Sequence, residues 1–287
     1  MKKFSAILMA VIMLLGVLSF SGCGAQDQII VQTNAFFAPF EYYEDGEIVG
    51  VDVDIMAKVG EKMGKEVVFN NVEFKTIIDN VAAGNLCDCG AAGITITEAR
   101  LEKVDFSIPY FTSVQYVIFA EGALEPAGVD GDVEYVVWEQ LAGKKIGVQQ
   151  DTTGDIYVSD EIAASESDPD YGWTGTLNGS GAEVVRFSNG QLAVDAMNAN
   201  QLDVVVLDYL PSSYIVSKNA GLQCAALYYD GGEEADFPTE EQYAIAVTKG
   251  NDELLTAINE VLEEMLVEDE NGESAVTKLV MKHYGME

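Results

Sequence analysis

The sequence predicts an α/β protein built as two similar halves that face one cleft. Two observations carry that expectation. Short apolar runs of strand composition alternate with segments of helical period, the pattern of mostly parallel sheets whose ligands bind outside the carboxyl ends of the strands. A weak internal echo then repeats one unit. Ala82-Ala83-Gly84-Asn85-Leu86-Cys87-Asp88 leads into a strand that delivers Gly93 and Thr95, and Asn198-Ala199-Asn200-Gln201-Leu202-Asp203 leads into one that delivers Asp208. Each half thus offers polar groups at a strand end, and two such lobes make a cleft. Of the 287 residues, 48% are hydrophobic and 9% aromatic, so the formal net charge of −33 does not signal disorder. The length fits one large domain or two modest ones.

The chain opens with Lys2 and Lys3, an apolar run from Ala6 to Leu18, and Ser19-Phe20-Ser21-Gly22-Cys23. That run is too short for a spanning helix, which needs about 20 apolar residues, so residues 1–22 are expected to be a cleaved export signal. Phe20-Ser21-Gly22-Cys23 resembles a bacterial lipobox, with Phe20 in place of the usual Leu. The resemblance implies lipidation of Cys23 as the first residue of the mature chain. The alternative is an ordinary cysteine after an ordinary signal. Residues 23–27 would be a tether, and no later stretch is long and apolar enough to span a membrane.

The first strand is expected at Ile29-Ile30-Val31. Phe40 to Val49 predicts a hairpin turning at Asp45-Gly46, because that dipeptide suits the positive φ angles of a tight turn. Gly50 and Asp52 open a helix whose apolar face carries Ile55, Met56, Val59 and Met63, and Gly64 stops it. A strand at Val67-Val68-Phe69, a helix from Thr76 to Ala83 and a buried strand from Gly90 to Ile94 follow, with a helix starting at Thr97-Glu98. From Gly122 to Asp132 the composition turns to Gly, Pro and acid, and a second unit begins. It holds a short helix in Trp138–Val148, a turn at Gly143-Lys144-Lys145 and the strand Ile146-Gly147-Val148. Residues 159–181 form an acidic surface excursion, rich in Ser, Asp, Gly and Pro. A helix over Gln191–Ala199 leads into the buried strand Leu202–Asp208, which ends in a carboxylate. Two helices close the chain: Leu254–Leu266 behind Asp252, and Ser274–His283.

Charge and residue counts narrow the function. With 15 Lys+Arg against 48 Asp+Glu, the body of the protein is a poor ligand for nucleic acid or an anionic membrane. The single histidine, His283, lies near the C-terminus, a poor position for a general base or metal ligand. Beyond Cys23 the cysteines are Cys87, Cys89 and Cys224, an odd number in an exported chain, so at least one thiol is unpaired or pairs between molecules. Cys87-Asp88-Cys89 lacks a second cysteine pair or a nearby histidine, so it is expected to be small buried residues and not a metal site. No metal or other cofactor is expected.

Gly50-Val51-Asp52-Val53-Asp54-Ile55 with Val59-Gly60 is similar to a family signature in which glycine and alternating apolar and acidic residues open a helix. It is joined in order by Ala38-Pro39-Phe40-Glu41-Tyr42, Ala92 to Arg100, Val104-Asp105-Phe106-Ser107 with Pro109-Tyr110, and Leu141 to Val148. Together these resemble the bacterial extracellular solute-binding proteins of family 3, which feed polar amino acids to ABC importers. The resemblance covers nearly the whole mature chain. It implies a two-lobed, type II periplasmic-binding-protein-like fold with lobe 1 at 28–116 plus 243–287, lobe 2 at 117–242, and two crossing hinge segments. It also implies a monomer that captures a free amino acid, closes its lobes and is recognised by a membrane permease.

A zwitterionic amino acid needs donors for its carboxylate and acceptors for its ammonium, because burying either unpaired is costly. Arg100, with a planar fork suited to a carboxylate, is placed there by the resemblance, with Gly93 and Thr95 beside it. Thr153, at a helix start, offers an N–H at the positive dipole end. Asp208 accepts from the ammonium. Phe37 is the expected aromatic wall, and Asn34 stands where relatives for cationic ligands tend to carry an acid. The plain alternatives are a surface Arg100 paired with Glu98 or Glu102, an Asp208 that caps the next helix, a Phe37 of the ordinary core and a turn-capping Asn34. Val51 replaces the usual aromatic after Gly50, and Asp151 stands where a glycine commonly precedes the threonines. Asn34 and Val51 together predict a neutral or polar ligand side chain. Rival functions are a dehydratase on the same scaffold and a sensor presenting an amino acid to a receptor.

Overall fold

The computed structural model describes residues 28–163, 174–232 and 234–285. The expected signal, the lipidated Cys23 and the tether lie outside them, as does the middle of the acidic excursion. The first sheet has five strands. Gln28–Thr33, with Ile29 and Val31 buried, lies parallel to Glu66–Asn71 on one side and to Cys89–Gly90 on the other. Ala246–Val247 and then Asp105–Phe106 complete it in antiparallel pairs. The hairpin forms as expected, pairing Glu41–Glu44 with Glu47–Val49, and both turn residues have positive φ, 50° at Asp45 and 89° at Gly46.

The helix Val51–Met63 buries Val51, Ile55, Met56 and Val59. Asp52 and Asp54 in its first turn oppose the positive end of its dipole, and Gly64 ends it at φ 66°, donating to carbonyls of the last turn. The closing helices, Asp252–Met265 and Ala275–Tyr284, pack against it, and Ser274 Oγ caps the last by accepting from Thr277 N at 3.0 Å. His283 has a structural place: its Nε2 lies 2.9 Å from Asp54 Oδ2 and fastens the last helix to this one.

The second sheet has nine strands. Glu183–Phe187, Lys145–Gln149 and Val204–Asp208 run parallel. Beyond them come Phe111–Ala120, Leu222–Tyr229, Val133–Val137 and Gly128–Asp130, with Phe237–Pro238 and Glu240–Tyr243 attached at the side. The fully buried Trp138, Leu141, Ile146 and Val148 anchor its core. The chain passes between the sheets twice, entering the second along Phe111–Ala120 and leaving it along Glu240–Tyr243. These segments pair antiparallel, from Glu240 against Val114 to Tyr243 against Phe111, and form the two crossing hinges.

The sheets are mixed, where the alternation predicted mostly parallel ones. A chain that leaves a sheet and returns must run back against its outgoing direction, and the antiparallel pairs sit where it does so. The strand expected over Gly90–Ile94 ends at Gly90, and Ala91 to Ile94 bends away, with Gly93 at φ 54°. Cys87 and Cys89 are buried, Cys224 is half-buried, and all three thiols are free. Burial pushes the Cys87 thiol up to about 11.

Candidate functional site

Both sheets direct chain ends into the space between the lobes. From the first come the segment after Gln28–Thr33 and the bend at Ala91–Thr95. From the second come the start of the helix Thr153–Ile162 and the end of the strand Val204–Asp208. Asn34, Phe37, Gly93, Thr95, Thr153 and Asp208 line one pocket there. The bend is forced at Gly93, because a Cβ would stand 2.7 Å from the Phe37 ring and φ is 54°. Phe37 is buried and packs on Phe40 and Tyr243 at centroid distances of 6.0 and 6.3 Å. Asn34 caps no turn. Its Nδ2 donates to Val72 O at 2.7 Å, and its Oδ1 accepts from Gln149 Nε2 of the other lobe at 3.0 Å.

Arg100 is buried, 7% exposed, and makes no ion pair with Glu98 or Glu102. Nη1 donates to Thr95 O and Nη2 to Asp151 O across the cleft, each at 2.8 Å. Its guanidinium carbon stands 5.6 Å from the centroid of Phe74, a second aromatic of the pocket wall. Burial lowers its pKa, and the carboxylates of Glu241 and Asp208 oppose that shift. Asp151, in the place of a glycine, takes φ 63°, the conformation for which a glycine is favoured.

Thr153 is the first helical residue, after Thr152 as N-cap. Its Oγ1 donates to Thr95 Oγ1 at 2.7 Å, and Thr95 Oγ1 in turn donates to Glu241 Oε2 at 2.5 Å. Asp208 occupies the N-cap position of the helix Tyr209–Lys218, but its side chain does not cap. It accepts instead from Tyr243 Oη and, at 2.6 Å, from Gln115 Nε2. The same Gln115 nitrogen donates to Glu241 Oε1 at 2.5 Å, so one amide bridges two buried carboxyls. Burial, then repulsion from Asp208, pushes Glu241 up to about 8. Burial also raises Asp208, against the hydrogen bonds of Tyr243 and Gln115 and the charge of Arg100.

Glu41, Phe74, Ala92, Gln149 and Thr152 complete the wall, and the sequence alone assigns them no role. Glu41 belongs to Ala38-Pro39-Phe40-Glu41-Tyr42, so its position is visible in the sequence and only its burial is not. Gln115 and Glu241 come from the crossing segments. The one local signal for Gln115 is a polar residue within the apolar run Val114–Phe119, and nothing local in Glu240-Glu241 marks the second as buried. Val51 is buried in the core and does not line the pocket. Asp52 stands behind the wall, accepting from Tyr110 Oη at 2.6 Å and Gly93 N at 3.0 Å, and burial pushes it up to about 6. Among the described residues no group of three or more His, Cys, Asp or Glu could hold a metal ion.

The sequence profile of the bacterial extracellular solute-binding proteins, family 3, matches residues 29–276. The L-arginine-binding protein of Pseudomonas aeruginosa is 29% identical over 260 residues, covering 87% of this chain and 86% of that protein. The arginine-binding extracellular protein of Bacillus subtilis is 26% identical over 282 residues, 95% of each chain. An ancestral arginine-binding protein solved with arginine superposes at a TM-score of 0.71 with 29% identity, covering 91% of this chain and 99% of that one.

Proposed function

The chain belongs to the bacterial extracellular solute-binding proteins, family 3, and we propose that it captures an amino acid by lobe closure and delivers it to an ABC-type permease. One observation carries this reading. Asp208 of one lobe lines the pocket, and Arg100 of the other is buried directly behind its Thr95 wall, a donor fork and an acceptor that match the two ends of a zwitterion. In this reading Arg100, with Thr95 and Thr153, holds the α-carboxylate beside the bend at Gly93, whose own N–H is given to Asp52. Asp208 receives the α-ammonium, and Phe37 flanks the side chain. Asn34 is committed to Val72 and Gln149 and sets the depth of the pocket. The lobes are 28–116 plus 243–287 and 117–242, and they move about the paired segments Phe111–Val114 and Glu240–Tyr243. The family consists of solute-binding proteins, which weighs against the dehydratase reading. A thermal-shift screen of the twenty amino acids and cystine tests capture, and stabilisation by none of them overturns it.

No helix among the described residues is long and apolar enough to cross a membrane. In this reading the chain is attached through a lipid on Cys23, on the strength of the lipobox-like Phe20-Ser21-Gly22-Cys23. A diacylglyceryl group with its two chains anchors stably where a single acyl chain binds only marginally. Mass spectrometry of the membrane-extracted protein should find that group on the Cys23 thiol. A Cys23→Ala chain acylated elsewhere would count against it.

The neutral or polar side chain expected from Asn34 and Val51 is not supported, since the relatives include proteins for arginine. Val51 lies outside the pocket wall, and the acid missing at position 34 is present at Glu41.

A further inference from the structure

Away from the ligand pocket, aromatic rings join the lobes a second time. Tyr214, on the helix Tyr209–Lys218 of lobe 2, is set between two tyrosines of lobe 1. Its ring centroid lies 6.3 Å from that of Tyr42, in the hairpin, and 6.4 Å from that of Tyr284, at the end of the last helix, with interplanar angles of 41° and 76°. Both separations fall where aromatic pairs attract beyond their buried area. Lys218, one turn along the same helix as Tyr214, places Nζ 5.3 Å from the centroid of its ring. None of these residues lines the ligand pocket.

The lobe 1 half is fixed independently of Tyr214. Tyr42 Oη lies 3.3 Å from His283 Nδ1, and the Tyr42 and His283 rings meet edge to face at 6.0 Å. His283 Nε2 and Lys282 Nζ each lie 2.9 Å from Asp54 Oδ2, so the last helix carries Tyr284 and steadies Tyr42 while anchored to the helix Val51–Met63. Around the rings the seam is hollow. Ala38 and Tyr42 of lobe 1 face Pro211 and Tyr214 of lobe 2 across a cavity of about 250 Å³. With that space unfilled, general packing does not join the lobes there, and the ring contacts do.

We propose that Tyr42 and Tyr284 clasp Tyr214 when the lobes close, and that this clasp, remote from the ligand, helps set ligand affinity. The proposal rests on capture by lobe closure and adds positioning residues to that reading. A ligand that binds the closed form has its apparent affinity reduced by the fraction of protein closed without it, so a contact that favours closure tightens binding without touching the ligand. Two aromatic pairs are together worth about tenfold or more in that balance.

The probes are the twenty amino acids and cystine, screened by thermal shift on the wild type, and the two that stabilise most are carried into calorimetry. Tyr214→Ala should weaken both by about tenfold and by a common factor, because closure is altered while the pocket that discriminates them is not. Tyr214→Phe keeps the ring and should bind within about threefold of wild type. In stopped-flow measurements the loss should fall on the dissociation rate, since the clasp forms after the ligand has entered the open cleft. Tyr284→Ala removes the other ring pair, should weaken binding in the same direction, and decides the question if Tyr214→Ala does not fold. Alanine variants that bind within about threefold of wild type overturn the proposal and leave amino-acid capture standing. So does a loss confined to one of the two amino acids, which would place the damage in the pocket. Failure of the wild type to bind any amino acid overturns the capture reading itself.

Discussion

Arg100 and Asp208 are buried between the lobes, and in the proposed site their surroundings predict what their loss does. Truncating Arg100 leaves a ligand carboxylate buried without its fork, a loss of about 3–5 kcal/mol, or more than a hundredfold in affinity. Asp208→Asn should weaken binding in the same direction. Titration calorimetry with the identified amino acid checks both, and an affinity within threefold of wild type removes that residue from the site. Glu241 makes a pH prediction. Its carboxyl is raised from an ordinary 4.5 to about 8 by burial and by Asp208, so the fold holds that proton more tightly than the unfolded chain does. Its contribution to stability is therefore full below about pH 4.5 and is lost as pH rises through about 8. Ligand-free unfolding midpoints of wild type and Glu241→Gln, compared across that window, should diverge with rising pH, the wild type losing more. Parallel profiles would show that Glu241 does not titrate there.

Elements were legible where one local signal sufficed. The hairpin at Asp45-Gly46, the apolar face and Gly64 stop of Val51–Met63, and the closing helices fall within a few residues of their expected positions, because turn chemistry and helical period act over neighbours. The bend after Gly90 was not legible, since Ala91-Ala92-Gly93-Ile94 is as apolar as any strand and only the approach of Phe37 shows why it leaves the ladder. Glycine geometry predicts two local failures. At Gly50, φ is 139° and a Cβ would stand 2.1 Å from the Phe40 carbonyl oxygen, so Gly50→Ala must displace backbone. It should cost about 3 kcal/mol or more in chemical denaturation. Gly93→Ala meets a side chain instead, so a smaller stability loss of about 1–2 kcal/mol should accompany a loss of ligand affinity. Wild-type stability in Gly50→Ala would mean that the hairpin yields.

At the scale of the whole molecule, hydrogen bonds already join the lobes through the pocket wall or beside it, among them Gln149 to Asn34, Thr153 to Thr95, Arg100 to Asp151 O, and Lys75 to Gln150. A ligand that adds contacts to both lobes shifts the balance between open and closed forms toward the closed one. At 100 times its Kd it should add about 2.7 kcal/mol to stability, read as a melting-temperature rise of several degrees. Small-angle scattering should show contraction on the same titration, and a rise in stability without contraction would separate binding from closure. By itself the sequence determined the α/β class and the order of most elements, and of the seven residues it proposed for the site the fold lines one pocket with six and buries Arg100 beside it. Each of those rested on a contiguous motif or a strand end, information held within a few residues. Only the tertiary structure decided that Glu41 is fully buried at the wall near Asp52, that Gln115 ties Asp208 to Glu241, and that Phe74 and not Val51 lines the wall. Those facts depend on the crossing segments, which bring together residues more than ninety positions apart. Burial and hydrogen bonding are pairwise properties of the folded chain, and no local pattern encodes them.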